Sequence, residues 1–491
     1  MAISAISADL KLCPVLIDGK HQGSRGATHV QVNPATGQPS ALIPYCTPEE
    51  ISQAIASAQR AFPAWSATPV LQRARIMFRY RQLLEDHADE LASLVTEEHG
   101  KTLAEAHASL ARGLECVEFA AGAPSLMMGE SLSRVGNDVD TTSTREPLGV
   151  CAGITPFNFP LMVPLWMFPM AIACGNTFVL KPSEKVPRSA VRVAELLYEA
   201  GLPEGVLNVV HGDKLAVDAL LTDPRVKAVS FVGSSPVAKY IYSTAAAHGK
   251  RVQAMGGAKN HSVVMPDCNL RAAVEAVMSS SFGCAGERCV ATSVVVAVGD
   301  IGDKLIAELR RAADSMLVSA GDASRCDMGP LVTSEHRDRV LKFIDIGEKE
   351  GAKLARDGRH DSATKKEDGF FVGPTIFDDV KPGMRIAKEE IFGPVLSVIR
   401  ARDLDEALLV VNGSEHGNAS SIYTRSGETA RKFTAAVQTG MVGVNLGVPA
   451  PVAIFPFSGW KNSFFGDAHA LGKDAVRFYT ETKVVTSRWP E

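Results

Sequence analysis

Apolar residues recur at helical spacing in the segment that follows residue 47. In the stretch PEEISQAIASAQRAF, one helical face collects Ile51, Ala54, Ile55, Ala58 and Phe62. The next stretch, LQRARIMFRYRQLLEDHADELASLVTEEHG, keeps this character as far as Gly100, a residue suited to ending a helix. The pattern predicts that the first hundred residues are largely helical.

From about residue 150 to 260, short apolar runs alternate with amphipathic ones. GNTFVLKPS, GVLNVVHG and VKAVSFVGS are typical of strands, whereas PRSAVRVAELLYEAG, DKLAVDALLTD and PVAKYIYSTAAAHG are typical of helices. This alternation predicts parallel βαβ units, in which ligands bind at the carboxyl ends of the strands. After residue 260 the alternation continues less regularly, between Gly/Pro turns.

Two isolated segments far apart in the chain also have strand-forming composition. They are DVDTTSTREPLGV, near residue 140, and AVRFYTETKVVTSRW, close to the end. We expect them to pair into a small β arm.

Composition and charge narrow the functional classes. With 46% hydrophobic residues, 22% charged residues and a net charge of −4, the chain is an ordinary globular protein with no basis for binding nucleic acid or acidic membranes. The uncharged stretch from Pro147 to Leu180 contains too many prolines for a membrane-spanning helix, and no secretory signal is readable. Nine cysteines without C-x-x-C spacing predict neither disulfides nor a metal site, and favour a reducing, cytoplasmic compartment.

Two cysteines lie close together in SSFGCAGERCVATS. A reactive cysteine needs a lowered pKa and access to solvent. Cys289 directly follows Arg288 and comes soon after Gly286, where the backbone can approach a substrate, whereas Cys284 has no adjacent charge. The sequence favours Cys289 as a nucleophile, although an inert buried thiol is the alternative for both.

Two strand ends are candidate cofactor contacts. LKPSE places Lys181 and Glu184 where they can hold ribose hydroxyls, or where they form an ordinary exposed ion pair. In FVGSSPVAKY, Ser235 is predicted to cap a helix with Pro236 at its first position, and the free N–H groups there favour a phosphate. An ordinary capped helix is the alternative, since no glycine pair has the G-x-G spacing of a Rossmann fingerprint.

Six short motifs occur in order over almost the whole chain: PFNFP, LKPSE, SFVGS, MGGAKN, GERC and EEIFGPV. Together they resemble the NAD(P)-dependent aldehyde dehydrogenase superfamily. PFNFPLMVPLWMFPMAIACGNTFVLKPSEKVPRSA, AKNHSVVMPDCN and RFYTETKVVTSRW resemble its CoA-acylating methylmalonate-semialdehyde dehydrogenase branch. The resemblance implies an α/β fold with a parallel-sheet cofactor domain, an α/β catalytic domain and a small β oligomerisation arm.

The resemblance also implies roles for single residues. Cys289 would attack the aldehyde, and the side-chain amide of Asn158 with the backbone N–H of Cys289 would hold the developing oxyanion. Glu184 would disfavour a 2′-phosphate, so NAD is expected rather than NADP. The expected cofactor contacts are Lys181 and Glu184 at the adenosine ribose, Gly233 and Ser234 at the pyrophosphate, and Glu390 with Phe392 at the nicotinamide ribose, together with Phe157.

The stretch QAMGGAKNH departs from hydrolytic members, which carry a glutamate four residues before the lysine to activate water. Aligned on Lys259, that position is Met255, preceded by Ala254, and neither side chain accepts a proton. Met255 departs even from the semialdehyde branch, where asparagine is usual. Without a base, the thiol of coenzyme A is the better acyl acceptor; a base elsewhere in the fold is the alternative.

Two arginines point to the substrate. Arg288, and Arg112 in ARGLECVEFAAG, match a pair in the semialdehyde branch, and two guanidinium groups can bind one carboxylate. The expected substrate is malonate or methylmalonate semialdehyde, and the expected products are acetyl-CoA or propionyl-CoA, CO₂ and NADH. Arg112 is alternatively an ordinary surface residue. A hydrolytic enzyme, acting for example on succinate semialdehyde, and a non-catalytic member of the fold are the competing functions.

The family fold implies three parts. Residues 1–130 and 150–258 are expected to form the NAD-binding domain, residues 259–450 the catalytic domain, and residues 131–149 and 465–491 the arm. The strands of the arm would present open edges, which favours their burial by a partner chain. The resemblance implies a homodimer or homotetramer.

Overall fold

A computed structural model describes residues 10–365 and 368–489 of the chain, so the expected domain limits at residues 1 and 491 lie outside the described residues. Its largest sheet has eight strands. In spatial order they are Phe464–Gly466, Arg251–Met255, Val226–Val232, Val150–Ile154, Thr177–Lys181, Leu207–Val209, Val15–Ile17 and Lys20–Gln22. The five strands from Arg251–Met255 to Leu207–Val209 run parallel, as the alternation of strands and helices predicts.

A second sheet of seven strands follows in the chain. Its order is Lys353–Arg356, Thr375–Asp378, Val395–Ala401, Thr292–Val298, Asn260–Val264, Ala419–Tyr423 and Met441–Val444. Only the pair formed by Lys353–Arg356 and Thr375–Asp378 is antiparallel within this described sheet. The expected α/β architecture of two mainly parallel sheets is therefore confirmed.

Helices cover both sheets. Their bounds are Pro48–Ala67, Val70–Asp86, Ala88–His99, Leu103–Ala121, Ala123–Leu126, Met162–Ala173, Arg188–Glu199, Lys214–Thr222, Ser235–Ala247, Leu270–Phe282, Ile301–Asp314, Ser334–Lys349, Arg385–Lys388, Leu404–Asn412, Gly427–Ala436 and Gly472–Phe478. Within the described residues, no helix combines the length and the apolar character that a membrane span requires.

The N-terminal region differs from the prediction. Helices begin only at Pro48, and the preceding residues form short strands, among them Thr28–Val32 paired with Pro39–Pro44. Val15–Ile17 joins the eight-stranded sheet beside Leu207–Val209. These strands are too short to show a period of two, and their partner is far away in sequence, so local pattern did not reveal them.

The two isolated strand-like segments pair as expected. Val139–Pro147 runs antiparallel to Thr480–Arg488, from Thr480 opposite Pro147 to Arg488 opposite Val139, and Ser131–Gly136 completes this three-stranded arm. The residues from 465 to 479 do not belong to it, because Phe464–Gly466 borders Arg251–Met255 and Gly472–Phe478 is a helix packed into the core. Burial of the apolar face of this helix overrides the strand composition of its sequence.

Candidate active site

A cavity of about 770 Å³ lies where the two large sheets face each other. It is lined by side chains from the carboxyl ends of strands in the first sheet and by loops of the second. Nearly all of the site residues predicted from sequence line it, namely Phe157, Asn158, Lys181, Glu184, Gly233, Ser234, Cys289, Glu390 and Phe392. Arg112 and Arg288 are not among its lining residues.

Residues 283–291, which we call the nucleophile loop, connect the helix Leu270–Phe282 to the strand Thr292–Val298. Cys284 and Ala285 have left-handed backbones, with φ of 50° and 51°. Gly286 follows with φ of +77°, and a Cβ atom there would lie 2.2 Å from the carbonyl oxygen of Gly393. The loop is thus held in a strained shape that only glycine permits at position 286.

The two cysteines of this loop have different surroundings. Cys284 is 2% exposed and accepts a hydrogen bond from Arg288 Nε at 3.3 Å, whereas Cys289 is half-buried and reaches the cavity. Burial and the carboxylate of Glu390 raise the pKa of the Cys289 thiol to about 12, although Arg288 and nearby backbone N–H groups act to lower it. Desolvation of the thiolate therefore outweighs the adjacent guanidinium, which is itself paired with Glu105.

Asn158 lies just beyond the strand Val150–Ile154 and is 4% exposed. Its Nδ2 donates to the carbonyl oxygen of Glu287 at 3.0 Å. The backbone carbonyl of Asn158 accepts a hydrogen bond of 2.7 Å from Lys101 Nζ, which is buried. The bond to Glu287 O orients the side-chain amide beside the nucleophile loop and leaves one of its two N–H groups available.

The far end of the cavity suits a nucleotide. Lys181 Nζ and Glu184 Oε2 lie 3.0 Å apart, and although burial acts to raise it, the Lys181 ammonium holds the pKa of Glu184 below its ordinary value. Gly233 and Ser234 precede the helix Ser235–Ala247 and line the cavity together with Pro236 and Val237 of its first turn, a position that favours a phosphate. A Cβ atom on Gly233 would lie 2.4 Å from the ring of Phe231, so glycine avoids a collision at this position and leaves the backbone accessible from the cavity.

Ser235 is not the cap of this helix. Ser234 occupies the cap position, without a side-chain hydrogen bond to the helix. Ser235 Oγ instead donates to Asn462 O at 2.8 Å and accepts from Gly257 N at 2.9 Å. It therefore ties the helix start to the glycine pair after the strand Arg251–Met255, a contact across the sheet that local sequence does not show.

Glu390 and Phe392 lie at the Cys289 end of the cavity. Glu390 Oε1 accepts from Ala258 N at 2.9 Å, and burial raises the pKa of Glu390 to about 7. Phe392 has a left-handed backbone with φ of 60°, and its ring centre lies 5.8 Å from that of Phe157. Glu390 is thus a carboxylate in the same cavity as the candidate nucleophile.

The position that carries the base in hydrolytic relatives is apolar. Met255 is 3% exposed, pairs with Val232 and Phe464 in the sheet, and packs in the core cluster against which Cys289 lies. Ala254 is fully buried. Among the described residues that line the cavity, the carboxylates are Glu184, Asp213 and Glu390.

The two arginines are both bound to glutamates of the helix Leu103–Ala121. Arg288 NH2 lies 3.2 Å from Glu105 Oε1, and Arg112 NH1 lies 2.9 Å from Glu115 Oε2. Residues 105 and 112 are two helical turns apart on one face, about 10 Å along the axis. The Arg288 side chain is largely buried at 17% exposure, whereas that of Arg112 is 43% exposed, and each is paired with a glutamate in this structure.

Glu105 was not anticipated from sequence. Its Oε2 closes a capping box with Thr102, and its Oε1 accepts from Cys284 N at 2.6 Å as well as binding Arg288. The capping-box spacing from Thr102 to Glu105 was a readable signal for the helix start. Its contact with the nucleophile loop is long-range and was not readable.

A buried titratable cluster, formed by His99, Glu287 and His336, was also missed. His99 Nε2 and His336 Nε2 each lie 3.6 Å from a Glu287 carboxylate oxygen, and Val332 N donates to Oε1 at 3.2 Å. Burial raises the pKa of Glu287 to about 8 and lowers that of His336 to about 4. Glu287 is fully buried and is not among the residues that line the cavity.

Comparison with known proteins places the chain. The aldehyde dehydrogenase family model matches residues 21–485. The malonate-semialdehyde dehydrogenase 3 of Geobacillus kaustophilus (strain HTA426) is 58% identical over 464 residues, which are 94% of this chain and 96% of the relative. The malonate-semialdehyde dehydrogenase of Pseudomonas aeruginosa PAO1 is 52% identical over 477 residues, 97% of this chain and 96% of that one.

Solved structures agree. The crystal structure of methylmalonate-semialdehyde dehydrogenase from Oceanimonas doudoroffii superposes with a TM-score of 0.97 at 52% identity, covering 98% of this chain and 99% of that one. A chain from Sinorhizobium meliloti 1021, solved complexed with NAD, gives a TM-score of 0.97 at 48% identity and covers 99% of both chains. Matched over nearly its whole length by the family model and by relatives of more than half identity, the chain belongs to the aldehyde dehydrogenase family.

Proposed function

We propose that this protein oxidises malonate or methylmalonate semialdehyde with NAD and transfers the acyl group, after loss of CO₂, to coenzyme A. Cys289 carries the acyl group as a thioester. The observation that carries the proposal is the buried, apolar Met255 at the position of the water-activating base, beside a cavity that presents Cys289 and Asn158. The names of the relatives support the substrate class.

The residues at the far end of the cavity fit NAD. Bare backbone at Gly233 and the start of the helix Ser235–Ala247 would accept the pyrophosphate, and Lys181 with Glu184 would hold the adenosine ribose. Glu390 and Phe392 would adjoin the nicotinamide end, with Phe157 against Phe392. When bound, NAD supplies the hydride acceptor. The carboxylate of Glu184 disfavours the additional phosphate of NADP by like-charge repulsion.

The chain's own groups perform the first half-reaction. The thiolate of Cys289 adds to the aldehyde carbon, and the carbonyl oxygen becomes an oxyanion that the free N–H of Asn158 and the backbone N–H of Cys289 hold. Loss of hydride from this carbon leaves a thioester on Cys289. Lys101 donates to the backbone carbonyl of Asn158 at 2.7 Å and so holds the main chain at this residue, while the bond from Asn158 Nδ2 to Glu287 O orients the side-chain amide.

Two arginines would select the substrate. Arg288 and Arg112 are each paired with a glutamate of the helix Leu103–Ala121, and each would exchange that partner for a substrate carboxylate. Such a substrate yields a β-carboxy thioester. Its C–C bond to the carboxylate breaks with release of CO₂, the thioester carbonyl accepts the electron pair, and a proton then completes the acetyl or propionyl group.

The second half-reaction needs an acceptor. Attack by the thiolate of coenzyme A on the thioester forms acyl-CoA and releases Cys289 as the thiolate, ready for the next aldehyde, without a general base at position 255. A hydrolytic route, with water as acceptor, has one observation in its favour: Glu390 lies in the same cavity with a pKa of about 7. Its hydrogen bond to Ala258 N and its expected contact with the ribose favour the cofactor role instead.

Steady-state NADH formation from malonate semialdehyde, with and without coenzyme A, tests the proposal. We expect one equivalent of NADH per active site without coenzyme A, then turnover with acetyl-CoA and CO₂ when it is added. Cys289→Ala should abolish the burst, whereas Cys284→Ala should retain it. Equal steady rates in both conditions would overturn the acyl-transfer assignment, and loss of that rate in Glu390→Gln would identify the hydrolytic base.

The three-part organisation and the assembly are proposals of the same kind. We infer an NAD-binding domain around the eight-stranded sheet, a catalytic domain around the seven-stranded sheet and an oligomerising arm. In the arm, Leu132, Val484 and Val485 are exposed apolar side chains, which a partner chain would cover. Light scattering is expected to show a homodimer or homotetramer, and a cytoplasmic location follows from the free cysteines.

A further inference from the structure

The nucleophile loop has contacts that the proposed chemistry does not use. The carbonyl oxygen of Cys289 accepts two hydrogen bonds of 2.8 Å, one from Asn260 Nδ2 and one from Asn418 Nδ2. Both asparagines are buried, at 4% and 3% exposure. They come from neighbouring parallel strands, because Asn260 opens Asn260–Val264 and Asn418 directly precedes Ala419–Tyr423.

The two side chains are held differently. Asn260 Nδ2 also donates to Ala291 O at 2.9 Å, and its Oδ1 accepts from Ala419 N at 3.0 Å, so it is part of the sheet edge. Among the described residues, the Asn418 side chain forms a hydrogen bond only with the Cys289 carbonyl. The described hydrogen bond of this buried amide therefore goes to the nucleophile residue and not to a strand of the sheet.

Peptide geometry gives this contact a consequence. The bond between Cys289 and Val290 is trans, so its C=O and N–H groups point in opposite directions. Two amide donors that fix the oxygen on one side therefore turn the Val290 N–H to the other side. The Val290 N–H is among the groups that act on the Cys289 thiol. Together with the Cys289 N–H and Arg288 it lowers the pKa of the thiol, whereas burial and Glu390 raise it.

We propose that Asn260 and Asn418 are positioning residues for the nucleophile, which hold the Cys289 carbonyl so that the Val290 N–H points at the sulfur. This inference rests on the proposed role of Cys289. A hydrogen bond donated to an anion stabilises the anion, so the two asparagines, which we call the clamp, raise the fraction of Cys289 present as thiolate. Without it the Cys289–Val290 peptide can rotate, and the sulfur loses a donor that faces it in the present geometry.

The experiment compares alkylation of Cys289 by iodoacetamide across a range of pH in the full-length protein, with the modified residue located by mass spectrometry. In Asn418→Ala we expect the thiol pKa to rise by about one unit, so that alkylation at a given pH below the pKa slows about tenfold. The control is Asn412→Ala, which loses a 3.0 Å bond from its amide to Ala436 O in the same half of the chain and should leave the rate unchanged.

The sign of the effect separates positioning from mere structural support. If Asn418 only stabilised the fold, its loss would loosen the loop, expose the half-buried thiol and accelerate alkylation. Faster or unchanged alkylation in Asn418→Ala therefore overturns the inference. Should that variant not fold, Asn418→Ser, which keeps a polar side chain, is measured in its place with the same criterion. A NADH burst retained in Cys289→Ala would instead overturn the proposed function, while the alkylation comparison would still test the clamp on the thiol.

Discussion

Replacing Asn158 with alanine tests the proposed oxyanion site most directly. Asn158 Nδ2 donates one hydrogen to Glu287 O at 3.0 Å, and an amide nitrogen carries two, so one remains for the oxyanion. Loss of a donor of this kind costs about 10²–10³ in rate, or about 2.7–4 kcal/mol in the barrier. The same change leaves the buried Glu287 carbonyl without this partner, at a cost of about 1–3 kcal/mol in stability, which a chain of this size tolerates.

The assay is stopped-flow detection of the first equivalent of NADH, with malonate semialdehyde, excess NAD and no coenzyme A, so that acylation alone is observed. Asn208→Ala is the matched control, because Asn208 is a buried residue of the same sheet whose amide donates to Gly205 O at 2.9 Å. It should lose stability but keep its burst rate. A burst in Asn158→Ala close to that of the unaltered protein, or an equal loss in the control, would refute the assignment of Asn158.

Three further changes have defined outcomes. Burial raises the pKa of Glu287 from 4.5 to about 8, so the folded chain binds a proton that the unfolded chain releases. The free energy of unfolding should therefore fall by up to about 1.4 kcal/mol per pH unit between about pH 5 and 8, and Glu287→Gln should remove this slope in urea unfolding curves. Glu184→Gln should raise kcat/KM for NADP relative to NAD, because a like charge facing the 2′-phosphate is removed; an unchanged ratio would argue against the ribose assignment. Gly286→Ala should lower the amplitude of the NADH burst, because its Cβ would lie 2.2 Å from Gly393 O and the nucleophile loop could not keep its shape in every molecule. A burst of full amplitude would contradict the need for glycine at this position.

The sequence predicted those parts of the fold that depend on neighbouring residues. The strand Thr177–Lys181 and the helix Arg188–Glu199 follow their local patterns closely. The strand Val15–Ile17 does not, because its place beside Leu207–Val209 is set by a partner far along the chain. The same reason explains why Ser235 was assigned as a helix cap although it bonds Asn462 and Gly257.

Prediction of the site shows a similar division. Motif order gave the residues that line the cavity, such as Asn158 and Cys289, because each motif is contiguous. The partners that set their geometry, Glu105 and Asn418, come from distant elements and have no local signature. The sequence shows the adjacent Arg288 but not the burial around the sulfur, and this burial raises the pKa of the Cys289 thiol.

The eight-stranded sheet obtains its edge strand, Phe464–Gly466, from the far end of the polypeptide. The buried side chains of Phe478 and Tyr479, which pack in the same core, come later still. Until Phe464–Gly466 has been synthesised, the strand Arg251–Met255 has no neighbour on that side, and its backbone groups are available to any other extended chain. Closure of this sheet must therefore wait for a segment made long after the strand that it covers, and a product truncated between the two would be prone to aggregate.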